Sequence, residues 1–234
     1  MIRLQNGNFK ELIKAVADKS VDLIVTDPPY KTTKRGNSGG TGGMCKNSDF
    51  IKGKGGFKEN AIEFKEWLPD CFRVLKEDSH AYFMTNNKNL KSMLIAVEDA
   101  GFKVFKTLIW AKDNCITNMW YMDSHEYIIF ARKGKAKKIN NCGTRSVLNI
   151  PNVKNKVHPS EKPVELMDIL VGNSSIKDDE TFLMFDPFMG SGSCAISAMK
   201  QGIGFLGFEL DNQYFKEAED NVEIMGFHLA MAKN

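Results

Sequence analysis

The sequence predicts an α/β protein built on a mostly parallel sheet, and three apolar runs support that prediction. The run Val21–Thr26 is rich in β-branched residues and ends at two prolines, which is typical of a buried strand. A second run, within Thr181–Ser193, ends in a Gly-x-Gly turn, and the helical segment Cys194–Gln201 follows it. The third run, Ile203–Phe208, completes a strand, helix and strand at the spacing of one βαβ unit, whose strands are parallel.

Hydrophobic periodicity predicts the remaining elements. Further strands are predicted at Ile2–Gln5, His80–Met84, Phe102–Trp110 and Glu126–Ala131, and further helices at Phe9–Ala17, Ala61–Leu75, Leu90–Ala100 and after Asp211. Pro69 is expected to kink or interrupt the helix that contains it. Because no helical pattern separates Phe102–Trp110 from Glu126–Ala131, these two strands are expected to form an antiparallel hairpin at one edge of the sheet.

The tetrapeptide Asp27-Pro28-Pro29-Tyr30 follows the strand Val21–Thr26, at the sheet edge where α/β proteins bind ligands. Asp27 can accept a hydrogen bond from an amine, and Pro28 offers a carbonyl on a rigid backbone. Tyr30 offers a flat face on which a base that has left its helix can stack. The tetrapeptide therefore suits the binding of an exocyclic base amine, although a rigid turn at a strand end explains it equally well.

The glycine turn after the second run is a candidate ligand loop. Gly190 and Gly192 let the backbone bend tightly and lie against a bound molecule. No Gly-Lys-Ser/Thr follows, which argues against a phosphate P-loop, whereas a dinucleotide fingerprint stays open because Ala195 holds its third glycine position. Glu209, at the end of the next strand, stands where the hydroxyls of a ribose would be bound.

In their order along the chain, these motifs resemble those of the DNA amino-methyltransferases that use S-adenosylmethionine, in the circularly permuted arrangement called the β group. The resemblance implies a Rossmann-like methyltransferase fold over residues 1–234, with a seven-stranded, mostly parallel sheet and an antiparallel edge hairpin. It implies that Asp27, Pro28, Pro29 and Tyr30 hold a flipped-out target base. The segment His158–Pro163 resembles the one that flanks the methionine part of the cofactor. The residues implied for cofactor binding are Asn8, Ser160, Lys162, Asp186, Phe188, Gly190, Ser191, Gly192, Ser193, Phe208 and Glu209.

Two positions leave alternatives open. The family usually has Gly-Asp where this chain has Gly7-Asn8. Asn8 can hydrogen-bond the edge of the adenine of the cofactor, or it can simply cap a helix. Members with Asp before Pro-Pro-Tyr mostly methylate adenine N6, so Asp27 favours adenine, with cytosine N4 as the alternative. Rival classes are an RNA or protein amino-methyltransferase, an inactive nucleic-acid-binding protein that retains the fold, and a nucleotide-dependent oxidoreductase.

Two basic segments are predicted to contact double-stranded DNA. The loop 31–60 is rich in glycine and lysine and lies beside the catalytic strand end, so it is expected to act as a lid that orders on the DNA backbone. The segment 132–157 is basic and contains no carboxylate, and the resemblance implies that it holds a small recognition element, although such basic segments are often only solvated. The predicted DNA-binding residues are Lys31, Lys34, Arg35, Lys135, Lys137, Lys138 and Arg145. The link between the hairpin strands, with Trp120 and Tyr121, is a candidate wall of the base pocket, and His125-Glu126 is given a structural role.

Composition sets broad limits. A chain of 234 residues can bury a full core as one domain, and a net charge of +3 permits nucleic acid without requiring it. The five cysteines are scattered and never in Cys-x-x-Cys spacing, so neither a disulfide framework nor a metal site is predicted. With no signal-peptide core and no bilayer-spanning run, a cytoplasmic protein without membrane contact is expected, and the resemblance allows a homodimer.

Overall fold

The computed structural model describes residues 1–29, 62–116, 120–135, 137–153 and 161–232. The strands are β1 (Ile2–Asn6), β2 (Val21–Thr26), β3 (Leu75–Thr85), β4 (Lys103–Ile116), β5 (Asp123–Arg132), β6 (Val147–Asn149), β7 (Leu183–Asp186) and β8 (Gly204–Glu209). They form one eight-stranded sheet in the order β1-β8-β7-β2-β3-β5-β4-β6. The described strands pair in parallel except where β5 runs antiparallel to β3 and β4, which confirms the mostly parallel α/β fold.

The helices are α1 (Phe9–Leu12), α2 (Leu68–Val74), α3 (Leu90–Asp99), α4 (Val164–Ser174), α5 (Ser193–Gln201) and α6 (Asn212–Met231), with 3-10 turns at Ile13–Ala15 and Phe64–Glu66. Two predicted helices are shorter than expected. The first passes into a 3-10 turn after Leu12, and the second begins only at Leu68, with Pro69 in its first turn. A proline is tolerated there because the first-turn N–H groups have no partner within the helix. No helix in the described part of the chain is long and apolar enough to cross a membrane.

The sheet has one strand more than predicted. The additional strand β6 pairs in parallel with β4, in the register Val147↔Ile109, so the antiparallel hairpin of β4 and β5 does not lie at the sheet edge. Only Leu148 of the three β6 residues is buried, and the Trp110 indole N–H donates to the Ile150 carbonyl at 2.8 Å just beyond the strand. A strand this short, within a polar and basic segment, carries no hydrophobic pattern that would reveal it.

Helices cover both faces of the sheet. One hydrophobic cluster joins the sheet to α4, α5 and α6 through residues such as Leu166, Cys194 and Ala218. The cluster on the other face joins it to α1, α2 and α3 through residues such as Phe9 and Met93. Because both faces are buried, the central strands are continuous apolar runs, as the sequence predicted for Val21–Thr26.

The strand order places a topological switch point between β2 and β7. The chain leaves β2 toward β3 on one side and leaves β7 toward β8 on the other side. The two strands pair in parallel in the register Leu23↔Met184 and Ile24↔Phe185, so they end at the same edge of the sheet. Ligands of open α/β sheets bind in the crevice that such a reversal creates beyond the carboxyl ends of the strands.

Candidate active site

Asp27 follows β2 at the switch point, and its two carboxylate oxygens have different surroundings. The Oδ2 atom accepts a hydrogen bond from the ammonium group of Lys162, and the two side chains are only 19% and 10% exposed. The Oδ1 atom is buried and has no hydrogen-bond partner among the described residues. Burial raises the pKa of Asp27, and the Lys162 charge acts in the opposite direction.

Lys162 and Asp27 belong to a chain of four alternating charges. The Lys162 Nζ atom lies 3.6 Å from Glu126 Oε2, and Glu126 Oε1 pairs with Lys112. The Lys112 ammonium also lies 4.6 Å from the centre of the Trp110 ring. Burial acts to raise the pKa of Glu126, but the Lys162 and Lys112 charges outweigh it, and the pKa lies below its ordinary value.

Sequence reasoning missed this charge chain. It gave the His125-Glu126 pair a structural role, which fits His125, whose Nε2 lies 2.9 Å from the Tyr127 hydroxyl. Glu126 instead points toward Lys162, and no motif in the sequence singles out Lys112. No spacing in the sequence connects these residues, because β4, β5 and the segment before α4 approach Asp27 from distant parts of the chain.

The glycine loop follows β7, the neighbour of β2. Asp186 is buried at the start of the loop, its Oδ1 accepts the Phe188 N–H at 3.1 Å, and burial raises its pKa to about 6. Gly190 and Gly192 have φ of +53° and +87°, a left-handed conformation that favours glycine. A Cβ atom at Gly190 would meet nothing within 4 Å, whereas one at Gly192 would lie 3.2 Å from the Cβ of Ala218 on α6.

Glu209 connects the glycine loop to the start of α6. Its Oε2 accepts the Gly190 N–H at 3.0 Å, and its Oε1 accepts the Asp211 N–H at 2.8 Å. Asp211 in turn caps α6 by accepting from the Gln213 and Tyr214 N–H groups, at the helix start that the sequence predicted. Burial raises the pKa of Glu209. Because a carboxylate has about four acceptor positions, Glu209 retains capacity for further donors such as ribose hydroxyls.

Hydrogen bonds connect the glycine loop to the surroundings of Asp27. The Ser193 hydroxyl donates to the Lys162 carbonyl at 2.9 Å, while the Lys162 side chain pairs with Asp27. On the other side of the loop, the Asn221 amide donates to the Ser191 carbonyl at 3.0 Å. The two motifs that lie at opposite ends of the sequence therefore meet in one site.

Three predicted cofactor residues have other contacts. Phe208 is buried in the core 5.0 Å from the Phe185 ring, so it reaches the loop through its carbonyl, which accepts the Met189 N–H at 2.9 Å. Phe188 packs against the Trp67 ring at 5.3 Å. Asn8 caps α1 by accepting the Lys10 N–H at 2.9 Å, which confirms the capping alternative. Tyr30, Ser160 and the loop 31–60, with Lys31, Lys34 and Arg35, lie outside the described residues.

Lys135 and Lys137, predicted together with Lys138 to contact DNA, do not lie beside Asp27. The Lys135 N–H donates to Asp78 at 2.6 Å, and the Lys137 carbonyl lies 2.9 Å from His80 Nε2, both near the amino end of β3. Asp27 lies at the other edge of the sheet, because Thr26 pairs with Phe83. The lysines follow β5, which runs antiparallel to β3. The chain therefore leaves β5 at the sheet edge opposite to Asp27.

The other residues predicted to contact DNA or the flipped base lie near β4, β5 and β6, on one side of β2. Arg145 is exposed just before β6, which is four strands from β2, a lateral distance of roughly 19 Å. Trp120 and Tyr121 are exposed between β4 and β5. Neither position tests the predicted contact with DNA or with a flipped base.

Comparisons with known proteins agree with this geometry. The sequence model of the N6/N4 methyltransferase family, described as DNA methylase, matches residues 21–220. The Type II methyltransferase M2.DpnII of Streptococcus pneumoniae is 29% identical, over 95% of this chain and 90% of that protein. The Type II methyltransferase M2.LlaDCHI of Lactococcus lactis subsp. cremoris is 26% identical, over 93% of this chain and 87% of that protein.

Solved structures share the fold. The complex of M1.HpyAVI with SAM superposes with a TM-score of 0.70 at 22% identity, covering 94% of this chain and 100% of that chain. The PvuII DNA methyltransferase, described as cytosine-N4-specific, has a TM-score of 0.72 at 15% identity, covering 96% and 90%. With the family match over residues 21–220 and the site at the switch point, the chain belongs to the N6/N4 methyltransferase family of DNA methylases.

Proposed function

We propose that this protein transfers a methyl group from S-adenosylmethionine to the N6 amine of an adenine that is flipped out of double-stranded DNA. One observation carries the proposal. Asp27 and the Gly190–Gly192 turn follow neighbouring parallel strands at the switch point, and Lys162 and Ser193 connect them. An acceptor for an amine and a loop for a cofactor are thus held side by side.

The residues around the glycine loop fit S-adenosylmethionine. The space above Gly190 is open enough that a Cβ would touch nothing, and Glu209 has acceptor capacity for ribose hydroxyls. When bound, S-adenosylmethionine supplies a methyl group on a positively charged sulfur, and transfer breaks that carbon–sulfur bond with its electron pair left on sulfur. The chain contributes positioning and electrostatics rather than a covalent nucleophile.

Asp27 and the Pro28 carbonyl are proposed to act on the acceptor amine. The lone pair of an adenine amine is delocalised into the ring, which makes the nitrogen a weak nucleophile. Hydrogen bonds from the amine to Asp27 and the Pro28 carbonyl favour tetrahedral geometry at the nitrogen, so that its lone pair can bond to the methyl carbon. The same two acceptors stabilise the positive charge that develops on nitrogen, and the extra proton then passes to water. Tyr30 is assigned the stacking of the flipped base.

The fold does not distinguish adenine from cytosine, because a cytosine-N4-specific enzyme shares it. The choice of adenine therefore rests on Asp27. The test is methyl transfer from labelled donor to unmethylated DNA, followed by digestion and separation of the modified nucleosides. N6-methyladenine is expected, and N4-methylcytosine would shift the assignment to the alternative base. Label in RNA but not in DNA, or no transfer at all, would refute the proposed function.

The Asp27→Ala variant is the matched control for the catalytic site. It should abolish methyl transfer while leaving the dissociation constant for S-adenosylmethionine within about twofold, because Asp27 is assigned to the amine and not to the cofactor. Wild-type rates in this variant would contradict the role of Asp27. Mapping of modified bases in DNA from cells that express the wild type, with cells that express Asp27→Ala as the control, then gives the recognition sequence.

We also propose that residues 1–234 act as one domain and that the protein forms the homodimer that the resemblance allows. Sedimentation analysis over a range of concentrations tests the dimer, with a constant monomer mass as the contrary result.

A further inference from the structure

We propose that Lys162 is a positioning residue that holds Oδ2 of Asp27 so that Oδ1 is left to accept the target amine, and that Glu126 holds Lys162 in place. The inference rests on the proposed function for the role of Asp27. It assigns the two oxygens of one carboxylate to different partners, a fixed lysine and the incoming base.

Contacts at both ends of Lys162 support this assignment. Its carbonyl accepts the Ser193 hydroxyl at 2.9 Å, which fixes its backbone against the glycine loop. Its ammonium contacts Asp27 Oδ2 and lies 3.6 Å from Glu126, and its side chain is 10% exposed. A long side chain tied down at its backbone and at its charged end has little freedom to move, so it holds the carboxylate in one orientation.

The free oxygen of Asp27 is the second observation. Oδ1 is buried, and no described residue donates a hydrogen bond to it. A buried acceptor without a donor is costly, and a hydrogen bond from the target amine would remove that cost. The orientation imposed by Lys162 therefore determines which oxygen faces the base.

The charges around Asp27 predict how substitutions will act. Charged or titratable groups face it from several elements: Lys162 ahead of α4, Glu126 on β5, Lys112 on β4, Asp186 on β7 and Cys194 on α5. Burial raises the pKa of Asp27, Lys162 lowers it, and Glu126 raises it. Burial also raises the pKa of the Cys194 thiol, so that group is neutral. Removing Lys162 or Glu126 should therefore shift the ionisation of Asp27 in opposite directions.

Single-turnover methyl transfer to DNA, measured across pH at saturating cofactor, tests the proposal. Lys162→Met removes the charge at nearly constant length, so the rate at pH 7 should fall at least about tenfold and the acid limb of the pH profile should move to higher pH. Glu126→Gln should move the same limb to lower pH. Lys162→Arg keeps the charge and should keep the wild-type pH dependence. A merely structural role would not produce opposite shifts.

Cofactor affinity separates this role from direct cofactor binding. The dissociation constant for S-adenosylmethionine, measured by titration calorimetry, should stay within about twofold of wild type in Lys162→Met. A rise of about tenfold with a normal rate at saturating cofactor would overturn the proposal and assign Lys162 to the cofactor. An unchanged pH profile in Lys162→Met would overturn it as well.

Thermal unfolding of the cofactor-free protein tests the pairing without any activity. An acid whose pKa is raised by folding stabilises the protein below its unfolded pKa, and this stability is lost as pH rises through the folded pKa. Lys162→Met should therefore lose more stability than wild type as the pH rises above the ordinary pKa of an aspartate, about 4, and adding Asp27→Asn should remove that extra loss. Equal pH dependence in all three proteins would refute the pairing. Failure of the wild type to methylate DNA, with the unfolding result intact, would refute only the proposed function.

Discussion

Gly190 and Gly192 provide a matched test of the cofactor loop, because they share a backbone conformation but differ in surroundings. Both have left-handed φ, +53° and +87°, so alanine at either position costs about 1–2 kcal/mol in backbone strain. Gly190 faces open space, whereas Gly192 faces Ala218 on α6. The two substitutions should therefore separate cofactor binding from folding stability.

The contacts set the expected magnitudes. A Cβ at position 192 would lie 3.2 Å from the Ala218 Cβ and 3.4 Å from its Cα, so α6 must shift, at a further cost of about 1–3 kcal/mol. Gly192→Ala should thus lower the free energy of unfolding by about 2–5 kcal/mol, and Gly190→Ala by only about 1–2 kcal/mol. The methyl group in Gly190→Ala enters the space assigned to the cofactor, so affinity should fall at least about tenfold.

Urea unfolding of the cofactor-free variants gives the stabilities, and titration calorimetry gives the dissociation constants for S-adenosylmethionine. Wild-type affinity in Gly190→Ala would show that the open space does not belong to the cofactor. Equal destabilisation by the two substitutions would show that the contact of a Cβ at position 192 with Ala218 does not reduce stability. Ala218→Gly in the Gly192→Ala background should recover part of the lost stability, since it removes the nearest atom.

Three further predictions concern the surroundings of the site. Burial raises the pKa of Asp186 to about 6, so the free energy of unfolding should fall by up to about 3 kcal/mol as the pH rises from 4 to 7. Asp186→Asn should remove this fall, as measured by thermal unfolding. The same pH dependence in the variant and the wild type would argue against the raised pKa. Glu209→Ala removes the acceptor of the Gly190 and Asp211 N–H groups, so the cofactor dissociation constant should rise at least about tenfold, and an unchanged constant would exclude the ribose contact. Joint replacement of Lys135, Lys137 and Lys138 by alanine should leave the affinity for DNA, measured by fluorescence anisotropy, within about twofold of wild type. The reason is that these lysines lie at the sheet edge opposite to Asp27. A salt-dependent loss of about tenfold would show that DNA reaches that edge.

Local patterns in the chain were enough to predict most of the sheet and the two loops of the site. The apolar run Val21–Thr26 stops at prolines, and the run before Asp186 stops at a glycine turn, so both the strands and their carboxyl ends are visible in sequence. Caps at Asn8 and Asp211 are equally local, because a capping side chain accepts from N–H groups only two or three residues away. The order of these motifs was sufficient to indicate the family.

Other features depend on strand order and register, which no local pattern encodes. The pairing of Lys162 with Asp27 and Glu126 joins parts of the chain that lie far apart in sequence, and no motif or spacing in the sequence connects these three residues. The reversed direction of β5 carries Lys135 to the sheet edge opposite to Asp27, and β6 is a strand that pairs with the outer side of β4. Pairings of this kind arise when distant segments are brought together in the fold, so tertiary structure was needed to find them.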